Sequence, residues 1–404
     1  MSNLDKVQTI TIIGSGAGGG YTGDEAMLIG IVRSLRSEMP NARITVLCKD
    51  PDYIQTTYNI ETIRPLKKDW KGIRRALKIL NNADLLIWGG GIPLSDSGHL
   101  RRLFEHGLIR LLRKPVMYYG VGVLPIKSRV GKLVTRCVMN WSSVITVRDE
   151  SSMGFLWQLK LRKNIIRTAD LSLLLEPVLS ERVEKKLEEI SGTPKKAPLI
   201  GICVGNSFDY RGRWWREVNL SPVPVEVMRN LKATLARVAD FIAAELGQVL
   251  FIPMWIPPQT SFNDDSAMFR DITALMKRQG EMKVLNGARY TAQEVAGLMG
   301  RLDLLLSGRL HGLTYAALSS VPQVAIGWGM RGHSLNKRIH DFMESIGQGN
   351  LVCEMEDFDY NDCISKLNYA WSYRDAIRQE ITLKKEAMKE RAALNAKLAK
   401  ELLL

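Results

Sequence analysis

The sequence predicts an α/β protein built from two successive parallel-sheet halves and a helical tail. Three observations predict it. Apolar runs of strand length end in glycine or a charged pair and lead into segments of helical spacing. A charged stretch around residue 190 interrupts this alternation, which restarts at Pro198. Alternation of this kind makes parallel sheets whose strand ends open on one edge, where ligands bind.

In chain order, Thr9–Ile13 reads as a buried strand running into the glycine-rich loop Gly14–Gly23, and Ala26–Arg36 as the helix that follows. Asp24 and Glu25 open that helix, where carboxylates suit the dipole; capping is their plain role. Gly14, Gly16 and Gly19 satisfy G-x-G-x-x-G. A run this rich in glycine fits many templates, however, and the next strand, Arg43–Lys49, offers no acid for a ribose until Asp50. Further strand-to-loop junctions fall at Asp84–Asp96, Pro115–Pro125 and Ser143–Ser151, with helical segments at Gly72–Asn81, His99–Arg113 and Arg129–Trp141. The last junction delivers Arg148 to the same rim as the glycine loops. The basic run Arg64–Lys78 reads as a solvated helix face, with attraction to an anionic membrane surface or a lipid-linked phosphate as its functional reading.

Leu173–Leu175 is expected to close the first sheet, and the charged stretch Glu181–Lys196 to be the interdomain linker. Residues 1–185 then form an N-terminal domain, 197–350 a C-terminal domain and 351–404 a helical segment. In the second domain Pro198–Gly205, Val249–Met254 and Met282–Leu285 read as strands, and Glu226–Leu246, Phe269–Gln279 and Thr291–Met299 as helices. Between them lies Arg211–Arg216, a basic and aromatic loop. Leu304–Ser307 is the next strand, and the Ala-rich segment from Leu313 the next helix, so Arg309 and His311 stand at a strand-to-helix junction. A fixed cation and a titratable imidazole beside a helix N-terminus suit an anionic substrate that must also exchange a proton.

Composition narrows the classes. Hydrophobic residues are 46% and charged residues 24% of 404, which is ordinary globular usage. No apolar run reaches membrane-span length and the N-terminus lacks a secretion-signal layout, so a cytoplasmic location is expected. A net charge of +14 admits nucleic acid, an anionic lipid surface or a phosphorylated substrate as partner. The five cysteines, Cys48, Cys137, Cys203, Cys353 and Cys363, lack metal-ligand spacing and read as free thiols.

Two successive Rossmann-like domains facing across a cleft would be the arrangement of GT-B glycosyltransferases. The motifs themselves resemble those of the polysaccharide pyruvyl transferase family, over nearly the whole chain. They are Gly23-Asp24-Glu25, Trp88-Gly89-Gly90-Gly91, Tyr119-Gly120-Val121-Gly122, Val147–Ser151, Thr168-Ala169-Asp170, and Ser307–Gly312 with Val321-Pro322 downstream. Family members look GT-B-like and move the enolpyruvyl unit of phosphoenolpyruvate onto a sugar as a ketal. The resemblance implies that Arg309, Leu310 and His311 bind phosphoenolpyruvate and that Arg148 is a second anion clamp. Arg331 stands where family members place a lysine. Tyr21 replaces the usual asparagine of the glycine loop, and Val121 and Leu124 replace polar and glycine residues before Pro125, which bears on the acceptor side.

The residue types agree with that chemistry. A donor with a carboxylate and a phosphate needs several cations, and ketal formation needs one carbon protonated and two hydroxyls deprotonated. His311 is the expected general acid/base. Asp24, Glu25 and Asp96 are candidate acceptor-hydroxyl bases, with Gly90 and Asp96 also counted on the substrate rim. No metal or cofactor is expected. The expected partners are phosphoenolpyruvate and a cell-envelope or exopolysaccharide precursor, lipid-linked and reached by peripheral contact at the inner membrane face, with no nucleic acid. A GT-B glycosyltransferase using a nucleotide sugar is the alternative enzyme, and a basic nucleic-acid or membrane-binding module the alternative of another class.

Overall fold

The computed structural model describes residues 7–64, 70–89, 91–94, 98–192, 197–205, 223–256, 264–285 and 289–404. Gly90, Asp96 and the tract 211–216 lie outside these described residues, as does part of the basic run 64–78. The chain divides into two compact units, residues 1–174 with 388–404, and residues 175–387.

The first unit holds seven strands: β1 (Thr9–Ile13), β2 (Arg43–Leu47), β3 (Glu61–Ile63), β4 (Leu85–Gly89), β5 (Val116–Val121), β6 (Val144–Val147) and β7 (Ile165–Arg167). They lie in the order β3-β2-β1-β4-β5-β6-β7, all parallel. The second unit holds β8 (Leu199–Cys203), β9 (Gln248–Phe251), β10 (Met282–Val284), β11 (Leu304–Ser307), β12 (Gln323–Gly327) and β13 (Val352–Glu354). Their order, β10-β9-β8-β11-β12-β13, repeats the same winding. Both are doubly wound sheets in which strand order reverses beside the first strand, β1 against β4 and β8 against β11. β8, β11 and β12 are buried along their whole length, because helices cover both faces of a parallel sheet. β13 carries the second sheet past residue 350, where the sequence had suggested a helical appendage.

Two short apolar or charged stretches fold otherwise than their patterns suggest. The first sheet ends at β7, and Leu171–Leu174 is a single 3₁₀ turn lying against the helix Thr22–Glu38, where the Leu171 carbonyl sits so close to Gly30 that a Cβ there would be 2.1 Å away. A run of three leucines fits a strand or a buried turn equally well, and Asp170, accepting from the Ser172 N–H (2.9 Å), tips it into the turn. The expected linker also has structure: Glu181–Ser191 is a helix of the second unit that buries Val183, Leu187 and Ile190 at helical spacing under its charged face.

The closing helix, Arg374–Glu401, belongs to the second unit up to Ala387 and to the first from Met388 onward. In the first unit Ala396 and Ala399 join the core cluster formed by Ile10, Ile12, Met27 and Ile31. Asn395, fully buried, meets the Thr146 hydroxyl, which accepts from the Gly120 N–H at 2.7 Å. Asn395→Leu takes away one of the two acceptors of the Thr146 hydroxyl, which keeps the Tyr118 carbonyl at 3.0 Å, and forces a branched side chain into the buried amide's place, so the first unit should lose about 1 kcal/mol. A lowered denaturation midpoint at unchanged slope checks this, and an unchanged midpoint contradicts it.

Candidate functional site

At the first sheet's carboxyl edge, β1 and β4 end side by side, with Ile13 opposite Trp88. The chain leaves β1 through Gly14, Gly18 and Gly20, all at positive φ, which an L side chain adopts only at a cost. This loop hugs two side chains. A Cβ at Gly14 would sit 2.6 Å from Trp88 Nε1, and one at Gly16 would sit 2.1 Å from Asp24 Oδ2. Asp24 is thus lodged against the loop at the first turn of its helix. Burial raises its carboxyl to about 6, against the opposing pull of Lys49 and Arg148 and with a small push from Glu25. Glu25 is turned elsewhere: it is buried and accepts from the Tyr58 hydroxyl at 2.7 Å and the Tyr53 hydroxyl at 3.3 Å.

Arg148 leaves β6 one residue after Val147 and is buried on the same rim. Its Nη1 donates to Asp170 Oδ2 at 2.9 Å, and its Nε lies 3.6 Å from Asp149 Oδ2. Burial opposes its charge, but Asp170, Asp149, Tyr21 and Asp24 outweigh burial and hold the cation. Asp149 also caps the helix Glu150–Trp157 through the Ser152 N–H at 2.7 Å. Arg148 and Asp24 are therefore brought together electrostatically, and the role of Asp170 as the arginine's anchor is added to what the motif Thr168-Ala169-Asp170 suggested.

The second sheet repeats this plan at β8 and β11. Ser307 lies opposite Cys203, and its hydroxyl accepts from the Arg309 N–H at 3.0 Å, which fixes the turn into the helix Leu310–Leu318. Gly308 has to be glycine for close packing, since a Cβ would meet the Trp328 ring at 2.1 Å. The Arg309 side chain lies across the exit of β8, so near Gly205 that a Cβ there would be 1.9 Å from its Nη2. Asp265 holds that guanidinium through the same Nη2. Asp265 itself is fully buried and accepts from the Met254 and Trp255 N–H groups, both at 3.0 Å. Burial raises the Asp265 pKa; Arg309 and the two amides act against the rise. The Trp255 ring lies 6.0 Å from Arg309 Cζ, at the outer reach of a cation–π contact.

His311 is the second residue of the helix and is 5% exposed, while Leu310, its first residue, is half-buried. Arg331 lies on the turn after β12 and makes a two-point ion pair with Asp357, at 2.7 and 2.8 Å, with both side chains more than half exposed. The structure thus places Arg309 and His311 within one turn of each other, and engages Arg331 with a surface carboxylate. Asp265 had no strong sequence signal: Asn263-Asp264-Asp265-Ser266 looks like an ordinary helix start, and Asp264 does cap the helix Asp265–Leu275. Among the described residues no group of three His, Cys, Asp or Glu side chains is placed to hold a metal ion. Cys48, Cys203, Cys353 and Cys363 are buried free thiols, and Cys137 is a half-buried one.

The family model for polysaccharide pyruvyl transferase matches residues 22–329, which is more than half of the chain and includes Asp24, Arg148, Asp265, Arg309 and His311. The chain belongs to this family. It is accordingly a transferase of polysaccharide biosynthesis, a pyruvyl transferase by family. No curated protein matches the chain. Among solved structures it resembles the UDP-GlcNAc 2-epimerase of Methanocaldococcus jannaschii, at 12% identity and TM-score 0.58 over 91% of this chain and 93% of that one. It also resembles the ADP-heptose LPS heptosyltransferase II of E. coli, at 16% identity and TM-score 0.50 over 91% of this chain and 100% of that one. A third is the spinosyn forosaminyltransferase SpnP, at 11% identity and TM-score 0.53 over 98% of this chain and 100% of that one. At such identities the likeness is one of fold, and it makes this pyruvyl transferase GT-B-like: two parallel sheets with covering helices, and a C-terminal helix. No helix among its described residues is long and apolar enough to cross a membrane.

Proposed function

We propose that the protein transfers the enolpyruvyl unit of phosphoenolpyruvate onto two hydroxyls of a saccharide in a cell-envelope or exopolysaccharide precursor, forming a ketal. The observation that carries this reading is Arg309, a buried cation locked in orientation by Asp265 above Gly205, beside His311 and a helix N-terminus, in a chain of this family. A guanidinium has five N–H donors, so an anchor at one nitrogen orients the plane without exhausting it. Such a plane matches a carboxylate or phosphate in two-point geometry.

In the proposed reaction His311 gives a proton to the methylene carbon of the donor, which leaves positive charge on C2. One acceptor hydroxyl adds at C2 and loses its proton; the C2–O bond to phosphate breaks; the second hydroxyl adds and loses its proton. Of the two protons released, one replaces that delivered to the new methyl group and the other leaves with inorganic phosphate or the solvent. Asp24, with its carboxyl near 6, is the proposed acceptor of a hydroxyl proton. Arg148, anchored by Asp170, is the second anion clamp.

Incubation with phosphoenolpyruvate and a saccharide diol should release inorganic phosphate and add a carboxyethylidene group to the sugar. Release of a nucleoside diphosphate from a nucleotide sugar would instead make the protein a glycosyltransferase and overturn the proposal. Gly205→Ala gives a sharper reading of the donor site. Its Cβ would occupy the space of the Arg309 guanidinium, so the KM for phosphoenolpyruvate should rise about tenfold or more in a folded protein, with kcat less affected. A Gly205→Ala protein with unchanged KM removes Arg309 from donor binding.

A further inference from the structure

The first unit contains a cavity of about 960 Å³ that the chemistry above does not use. Its floor is the carboxyl edge of β1, β2 and β4, through Ile13, Leu47 and Trp88, and its sides are the helices Trp70–Asn82 and His99–Leu111. The apolar side chains of those helices turn toward it at helical spacing: Ile73, Ala76 and Leu80 from one, Phe104 and Leu108 from the other. A helix stripe normally buries itself in core, whereas this pair borders open space at the upper end of the size of small-ligand pockets, about 300–1,000 Å³.

Three further observations say what would fill it. The apolar lining continues to the surface, since Phe104 is 61% exposed and Leu100 and Leu111 on the same helix are 80% and 78% exposed. The charged side chains in the wall are Lys49 and Arg101, the latter paired with Glu105 of the same wall at 2.6 Å, and the two helices add the exposed Lys71, Arg74, Arg75 and Arg110, so the surroundings carry a net positive charge. The wall also includes Gly14–Gly16, the loop against which Asp24 is lodged.

We propose that this cavity binds the hydrocarbon chain of an amphipathic acceptor, a saccharide carried on an isoprenoid or alkyl chain through a phosphate linkage. The apolar walls take the chain and Lys49 meets the linker, with the Arg101–Glu105 pair beside it. The sugar is then held at the glycine loop beside Asp24. This inference rests on the acceptor reading of Asp24 given above.

The test is titration of the full chain with farnesyl diphosphate, using inorganic pyrophosphate as the chainless probe, each followed by calorimetry. Farnesyl diphosphate should bind saturably and at least tenfold more tightly than pyrophosphate. Ala76→Trp, which fills the cavity from one wall, should abolish that difference while leaving phosphoenolpyruvate affinity unchanged. Ile73→Ser, at a position already 38% exposed, should weaken farnesyl diphosphate binding about threefold in a protein of unaltered melting temperature, and stands in if the larger substitution unfolds the chain. Equal affinity for the two probes, or binding indifferent to both substitutions, overturns the inference. Pyruvyl transfer to a sugar without any chain preference would refute the cavity assignment while leaving the proposed reaction intact. Chain-dependent binding sensitive to these substitutions, with no transfer from phosphoenolpyruvate, would do the reverse.

Discussion

Arg309→Ala should abolish measurable phosphoenolpyruvate binding and lower kcat/KM by at least ~10³-fold, on the scale of losing a preorganised charge partner. The same change should destabilise the second unit by about 3–5 kcal/mol, because it strands the Asp265 carboxylate in the interior without its counter-charge. The two effects separate in the double variant Arg309→Ala with Asp265→Asn, where the stranded charge is gone: the melting temperature should recover and donor binding should not. Arg309→Lys keeps a charge near Asp265 but gives up the planar fork, so it should fold well and still lose one to two orders of magnitude in donor affinity. Calorimetric titration with phosphoenolpyruvate and thermal melts of the three variants supply the measurements. A folded Arg309→Ala protein that binds phosphoenolpyruvate as wild type does would sink the donor-site assignment.

Asp24→Asn should cost ~10²–10⁴-fold in kcat, the range for removing a positioned proton acceptor, while leaving phosphoenolpyruvate affinity within about threefold. The wild-type rate should fall on acidification with an inflection near 6, where burial has placed this carboxyl, and the residual rate of the variant should lack that limb. Stability should move the opposite way. The folded chain disfavours the ionised carboxyl, so the native state binds a proton more tightly than the unfolded state does. Stability is therefore gained as the pH falls from about 6 toward the ordinary value of 3.8, and lost as the pH rises through 6. Asparagine removes that cost, so the variant should be more stable than wild type by roughly 1–3 kcal/mol at pH 7.5 and no more stable near pH 4. A rate that survives the substitution would shift the acceptor base to another residue. A melting temperature unchanged at pH 7.5 would mean that the carboxylate is well solvated.

The junctions that carry Arg148 and Arg309 were legible because their signal is local: an apolar run, a stop in small or charged residues, then helical spacing. What orients those arginines was not. Asp170 lies 22 residues beyond Arg148 and Asp265 lies 44 before Arg309, and only the sheets' winding brings each pair together. Alternation of strands and helices announces a parallel sheet, but it is silent on whether the fourth strand returns beside the first, the event that creates each ligand-binding edge. Composition misled at Glu181–Ser191, where charge density concealed Val183, Leu187 and Ile190 on one face. Asp24 and Glu25, adjacent and alike in sequence, part company only in the fold: one is lodged against a glycine loop, the other held by two tyrosine hydroxyls.

The end of the closing helix bears on how the chain is made. The seven strands of the first sheet have all been synthesised by residue 167, yet Ala396 and Ala399, which pack in its core, follow only after the entire second unit. Throughout that interval the core positions those residues cover stand open, and transiently exposed apolar surface of this kind favours aggregation. Joining Leu404 to Met1 through a flexible linker and opening the chain within Lys384–Ala387, so that residues 388–404 are made first, should raise the yield of soluble protein during synthesis without chaperones.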